Sequence, residues 1–149
     1  MNIEELLEQK KAVQVKTTGN SMTPFLIPGI HEAVIESVDV NTLRKGDVVL
    51  YRRISDTEAE SGKLVLHRIW KRRGDTFYML GDSQTEPEGP IVAEQIKGRL
   101  EGIAREETCR SVRDPLYRIL SRIWLTLRPF RPFLLRIGHF VKKIHIKSS

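Results

Sequence analysis

The chain has 149 residues, 40% hydrophobic and 30% charged, which allows one domain with a real core and excludes disorder throughout. Its single cysteine, Cys109, excludes an intramolecular disulfide, and no His/Cys/Asp/Glu group has metal-ligand spacing, so neither metal nor cofactor is expected. The net charge of +6 is lopsided: residues 115–149 hold eight of the 25 Lys/Arg and no Asp/Glu, which leaves 17 basic and 19 acidic residues in 1–114, a net of −2.

Residues 3–10 suit a short amphipathic helix with Ile3, Leu6 and Leu7 on one side. "AVQVKT" (12–17) alternates like a strand. After a turn at Gly19, "FLIPG" reads as extended up to Pro28-Gly29. Strands are expected at 32–38, 47–53 and 63–73, the last two rich in β-branched and aromatic residues. Gly74-Asp75 marks a hairpin turn into a strand at 76–80. Residues 81–90 read as a long loop. "VAEQIKGRLEGIAR" holds a short turn, a break at Gly98 and a closing strand over about 99–105. Short strands joined by turn-rich links predict a mainly β domain.

The segment from Pro115 is different material. Asp114 suits an N-cap and Pro115 the first helical position. Leu116, Ile119, Leu120, Ile123, Trp124 and Leu127 make a broad apolar face, with Arg118, Ser121 and Arg122 opposite. "PFRPFLLRIGHFVKKIHIK" repeats the theme. A cationic amphipathic tail of this kind suits an anionic membrane surface, with Arg118, Arg122, Trp124, Arg128, Arg131, Arg136, Lys142 and Lys143 as the expected contacts. The same helices could instead pack on the β body or on a second copy. A nucleic-acid arm is disfavoured because the apolar face is too large. There is no signal peptide pattern at the N-terminus and no run of 18 uncharged apolar residues, so the expectation is peripheral association, on the cytoplasmic side.

Four segments carry the candidate chemistry, in this order: "GNSMTP" (19–24), "KGDVVLYR" (45–52), "LVLHRI" (64–69) and "GDS" (81–83). Each alone is weak, because a serine in a turn, a histidine in an apolar strand and a Gly-Asp pair are all common. Together they resemble the signal peptidase I and LexA-type serine peptidases, over residues 12–105. "GNSMTP" is similar to the family's nucleophile box, "KGDVVLYR" to the strand after it, and "LVLHRI" to the strand bearing the general base. "GDSQTEPEGP" is similar to its Gly-Asp loop, and "VAEQIKGRLEGI" to its closing strand.

The resemblance implies a LexA/signal-peptidase-like β-rich fold, with residues 1–114 as the peptidase domain and 115–149 as a basic amphipathic helical tail. It implies Ser21 as nucleophile and His67 as base, in the branch that uses histidine rather than lysine. Asp82 would assist, with Glu86 or Glu88 as stand-ins, and Gly19, Asn20, Met22 and Pro24 would shape the oxyanion and substrate cleft. The chemistry is coherent: a hydroxyl needs a neighbouring base to become nucleophilic, and histidine titrates near neutral pH. An acidic partner would hold the imidazole tautomer, and the Ser21 N–H would serve the oxyanion.

This chain departs from the family in carrying Gly19 where classical members have a serine, and in lacking the N-terminal membrane helix. His31 reads as loop surface, Lys63 as a poor rival base about 13 Å from His67 along the strand, and Asp47 as a turn cap. The expected activity is cleavage of a signal or leader segment from a peptide or protein precursor bound as an extended strand. The alternatives are a LexA-like self-cleaving regulator, disfavoured because no DNA-binding segment precedes residue 12, and a catalytically silent, membrane-held peptide-binding module.

Overall fold

The computed structural model describes residues 2–58, 61–134 and 136–137. Helix α1 (Ile3–Glu8) leads into β1 (Val13–Lys16), β2 (Glu32–Glu36), β3 (Val48–Arg52), β4 (Leu64–Arg73), β5 (Thr76–Leu80), β6 (Glu88–Val92), β7 (Ile96–Arg105) and β8 (Thr108–Ser111), and helix α2 (Pro115–Thr126) follows. The fold is mainly β, with an eight-stranded sheet whose pairings are all antiparallel, in the order β1-β2-β7-β3-β4-β5-β6, with β8 on β7.

β3 shows how the sequence drives this. Its side chains alternate between two cores, Val48 and Leu50 joining Leu7, Met22, Leu26, Ile35, Leu66 and Leu100, and Val49 and Tyr51 joining Ile69, Phe77, Met79, Ile91 and Ile96. A strand buried on both faces has no polar side, hence "VVLY". The ten-residue β7 is long enough to hold β2 along one edge and β3 then β8 along the other. Register shifts at Val34/Ile35, Leu50/Tyr51 and Ile69/Lys71 bend the sheet.

Four local expectations change. Residues 22–26 form a helical turn, with the Phe25 and Leu26 N–H groups donating to the Met22 carbonyl at 3.1 and 3.0 Å, where an extended segment was expected. The 81–90 loop ends in β6, whose Pro90 is tolerated because β6 is an edge strand. Gly98 does not break β7. It is needed because a Cβ there would lie 2.6 Å from Ile35 Cγ2 and 2.8 Å from the Glu36 carbonyl oxygen. β8 carries no apolar alternation, all four of its residues being exposed, and so gave no sequence signal.

The C-terminal helix is seated on the body through Tyr117, Ser121, Trp124 and Leu125, with most of its apolar stripe outward. Asp114 caps it by accepting from Leu116 N–H at 3.0 Å, with Pro115 at the first position. Ser121 and Leu125 are buried, Trp124 Nε1 donates to the Asp82 carbonyl at 2.6 Å, and Arg128 Nε donates to the Thr85 carbonyl at 2.5 Å with its guanidinium over the Trp70 ring. Arg131 is wholly buried, bonded to the carbonyls of Gly81, Gln84 and Trp124. The expectation of membrane contact is therefore corrected for Arg131, which is wholly buried, while Trp124 and Arg128 are half-buried and donate to backbone carbonyls of the 81–85 loop. Arg118, Arg122 and Arg136 are exposed, while Lys142 and Lys143, like His139 and His145, lie outside the described residues.

Candidate functional site

Ser21 opens the helical turn after Gly19, and its carbonyl accepts from Ser83 N–H at 2.9 Å. Ser83 Oγ donates to the Asn20 carbonyl, also at 2.9 Å. These two bonds lock the serine turn to the Gly-Asp loop. Gly81 makes the approach possible, since a Cβ there would meet the Ser21 carbonyl oxygen at 2.7 Å. Gly19 and Asn20 are exposed, Pro24 follows a cis peptide, and Met22 is buried in the first core.

Ser21, Gly19, Met22 and His67 line one cavity of about 470 Å³. Its walls come from Val15 to Thr18 at the end of β1, from Lys63 to His67 at the start of β4, and from Gln84. β5 pairs with β4 only from Arg68 onward, so the outer edge of residues 64–67 has no strand beside it among the described residues. β1 is likewise the end of the sheet order. Two unpaired strand edges thus border the cavity that holds Ser21.

His67 is 1% exposed. It lies opposite Val49 in the β3–β4 register, so its side chain leaves the sheet on the face of Val49 and Tyr51. The Ser21 turn packs over the other core through Met22, and Ser21 and His67 share the lining of one cavity. No hydrogen bond joins Ser21 Oγ to His67 among the described residues.

What orients His67 is Tyr51, whose hydroxyl lies 2.9 Å from Nδ1 and donates to Glu88 Oε2 at 3.1 Å. Glu88 also accepts from Arg53 Nε and Nη2, both at 2.7 Å. Burial opposes ionisation of Glu88, but the Arg53 and Tyr51 donors outweigh it and hold the carboxyl below its ordinary pKa. An ionised Glu88 only accepts, so the single Tyr51 proton goes to Glu88 and His67 Nδ1–H must donate to Tyr51. The tautomer follows: Nε2 carries the lone pair, and it has no protein partner among the described residues. Burial lowers the His67 pKa to about 4, against the opposing pull of Glu88, so the ring is neutral at neutral pH.

Asp82 is not the partner of His67. Both its oxygens are taken by Arg68, at 2.8 Å each, and both residues are fully buried. The Arg68 guanidinium also reaches the Gly46 carbonyl and the Tyr117 hydroxyl, and stands over the Phe25 and Tyr117 rings. This ion pair pins the strand beside His67 to the loop beside Ser21. Glu88, one of the two stand-ins, is the carboxylate beside His67, 3.9 Å from Nδ1, whereas Glu86 is exposed.

Tyr51, Arg53 and Gln84 were not singled out from the sequence. Tyr51 had a signal: a tyrosine in a core strand must find its hydroxyl a partner. His31 is half-buried rather than surface, its Nδ1 accepting from Ile27 N–H at 3.0 Å. Asp47 accepts from Arg44 N–H as a turn cap. Among the described residues no group of three or more His, Cys, Asp or Glu is placed to hold a metal ion. No protein-family profile, curated protein or solved structure gives a significant match to the chain.

Proposed function

We propose that the chain is a serine endopeptidase of the signal peptidase I and LexA-like type, which cuts a signal or leader segment from a peptide or protein precursor at a membrane surface. One observation carries the reading: Ser21 shares a cavity with a neutral histidine whose Nδ1–H is held by a Tyr51–Glu88–Arg53 chain, leaving Nε2 as a base. The substrate lies extended against the free edges of β1 and of residues 64–67, taking up backbone hydrogen bonds that the sheet leaves unmade. Its arrival brings Ser21 and His67 into contact, since catalytic hydrogen bonds commonly tighten only in the substrate complex.

Ser21 Oγ then attacks the scissile carbonyl carbon, its proton passes to His67 Nε2, and the carbonyl π pair moves onto oxygen. Collapse of that oxyanion breaks the C–N bond, and the amine leaves with the proton from Nε2. Water repeats the sequence on the acyl-enzyme and frees Ser21. Tyr51 and Glu88 keep the ring oriented and stabilise the imidazolium while it exists.

The membrane part of the reading rests on the helical stripe of Leu116, Ile119, Leu120 and Ile123, continued by Phe130, Phe133 and Ile137, each 45–65% exposed. Exposed Arg118, Arg122 and Arg136 stand on the same segment. No helix among the described residues is long and apolar enough to cross a membrane, so the proposal is attachment in the interface plane.

The test uses a fluorophosphonate probe and a library of leader-like peptides on the full chain and on Ser21→Ala. The expected result is labelling at Ser21, cleavage by wild type, and loss of both in Ser21→Ala. Peptide binding without labelling or cleavage would point to the silent module. Cleavage of the chain itself would point to the self-cleaving regulator.

A further inference from the structure

A tetrahedral intermediate on Ser21 carries a full negative charge on the former carbonyl oxygen, and sites of this chemistry aim preorganised donors at it. The Ser21 N–H is one donor. Gly19 brings no side chain, so a second must come from elsewhere on the cavity wall. Arg53 is committed to Glu88, and Thr17 Oγ1 is sealed from solvent without a partner. Gln84 remains.

Its carboxamide is already oriented. Gly81 N–H donates to Gln84 Oε1 at 3.1 Å, and a backbone N–H can bond only the oxygen end of an amide. The amino end, with two donor hydrogens, is therefore turned away from that bond, and no protein acceptor engages it among the described residues. The carboxamide also lies close to the nucleophile's turn. A methyl at Gly81 would sit 2.8 Å from Gln84 Oε1 and 2.7 Å from the Ser21 carbonyl oxygen, so both oxygens border the same small gap.

The backbone beneath is held firmly. Gln84 N–H donates to Gly81 O at 3.0 Å, Ser83 N–H to Ser21 O at 2.9 Å, and Arg131 Nη1 binds the carbonyls of Gly81 and Gln84 at 2.9 and 2.7 Å. A donor on a loop fixed from both sides costs little reorganisation during reaction, which is what makes such donors effective.

We propose that the Gln84 carboxamide is the second oxyanion donor of the Ser21 site. The proposal rests on the peptidase reading, and its test separates the two. Gln84→Glu keeps an oxygen for Gly81 N–H but removes both donor hydrogens, whereas Gln84→Ala removes both features.

With a cleaved leader peptide as substrate, both variants should lose about 100- to 1,000-fold in kcat, with KM changed by less than about threefold. A peptide boronate, whose adduct on Ser21 mimics the charged intermediate, should lose affinity in parallel with kcat. Thermal melting of Gln84→Glu should match wild type. Full activity in Gln84→Glu with loss in Gln84→Ala would reduce Gln84 to a pin for its loop and overturn the proposal. So would full activity in both variants while wild type still labels at Ser21. If wild type neither labels nor cleaves, the peptidase reading itself falls and takes this inference with it.

Discussion

Asp82 and Glu88 illustrate at the residue scale how one loop divides two roles. Asp82 neutralises a buried arginine, and removing one member of such a pair strands a charge, at a cost of about 3–5 kcal/mol. Asp82→Asn should therefore lower the urea midpoint sharply. The double variant Arg68→Met/Asp82→Leu should recover most of the stability, and peptide cleavage with it. A double variant that is stable yet inactive would instead give Asp82 a direct part in the chemistry.

His67 makes a separate prediction. Its folded pKa of about 4 lies below the ordinary 6.5, so the unfolded chain takes up this proton first as pH falls. The stabilisation is complete above pH 6.5 and is lost on the way down to about 4, amounting to on the order of 2–3 kcal/mol. Chemical denaturation at pH 7 and pH 4 should reveal the loss, and His67→Phe should shrink the difference. The acid limb of kcat/KM should likewise fall near 4 rather than 6.5.

At the scale of elements, α2 and the turn after it clamp the loop that faces Ser21. Trp124, Arg128 and Arg131 together donate to the carbonyls of Gly81, Asp82, Gln84 and Thr85. Burial lowers the Arg131 pKa, and its Nε has no partner, so this cation is held by carbonyl dipoles and by the field of Asp82. Arg131→Ala removes the side-chain donor shared by the Gly81, Gln84 and Trp124 carbonyls, of which Gly81 keeps the Gln84 N–H, so the cost is about 1–3 kcal/mol. Amide exchange at Ser83 and Gln84 should accelerate by at least tenfold, and cleavage should fall with it. Unchanged exchange in this variant would mean that the loop holds itself.

At the scale of the whole molecule, the tail carries two faces with different tasks. Tyr117, Ser121, Trp124, Leu125 and Arg131 hold the body, while the apolar stripe from Leu116 to Ile137 has no described partner. Flotation with vesicles containing phosphatidylserine should carry the full chain upward, less so at high salt, because each basic residue near an anionic surface adds about 1 kcal/mol and is screened by ions. Ile119→Glu/Ile123→Glu should abolish flotation without lowering the melting temperature. A double variant that still floats would remove this face as the anchor.

Much of the architecture was legible in the chain. Alternation and turn chemistry mark β1 to β5, the α2 cap is written in Asp114-Pro115, and the order of four short segments singles out as candidates Ser21 and His67, which the fold brings to one cavity. These are local signals, carried by residues a few positions apart. Which carboxylate lies near His67 and which pairs with Arg68 was not local. Asp82 reaches Arg68 because β5 returns antiparallel beside β4, and Glu88 reaches Tyr51 because β6 folds back onto β5. The buried side of α2 was equally hidden, because the broad apolar stripe stays exposed and the helix buries Ser121 and Leu125 instead. Local pattern states what each segment tolerates; which carboxylate, hydroxyl or carbonyl a buried cation or imidazole meets depends on long-range packing, and only the tertiary structure decided it.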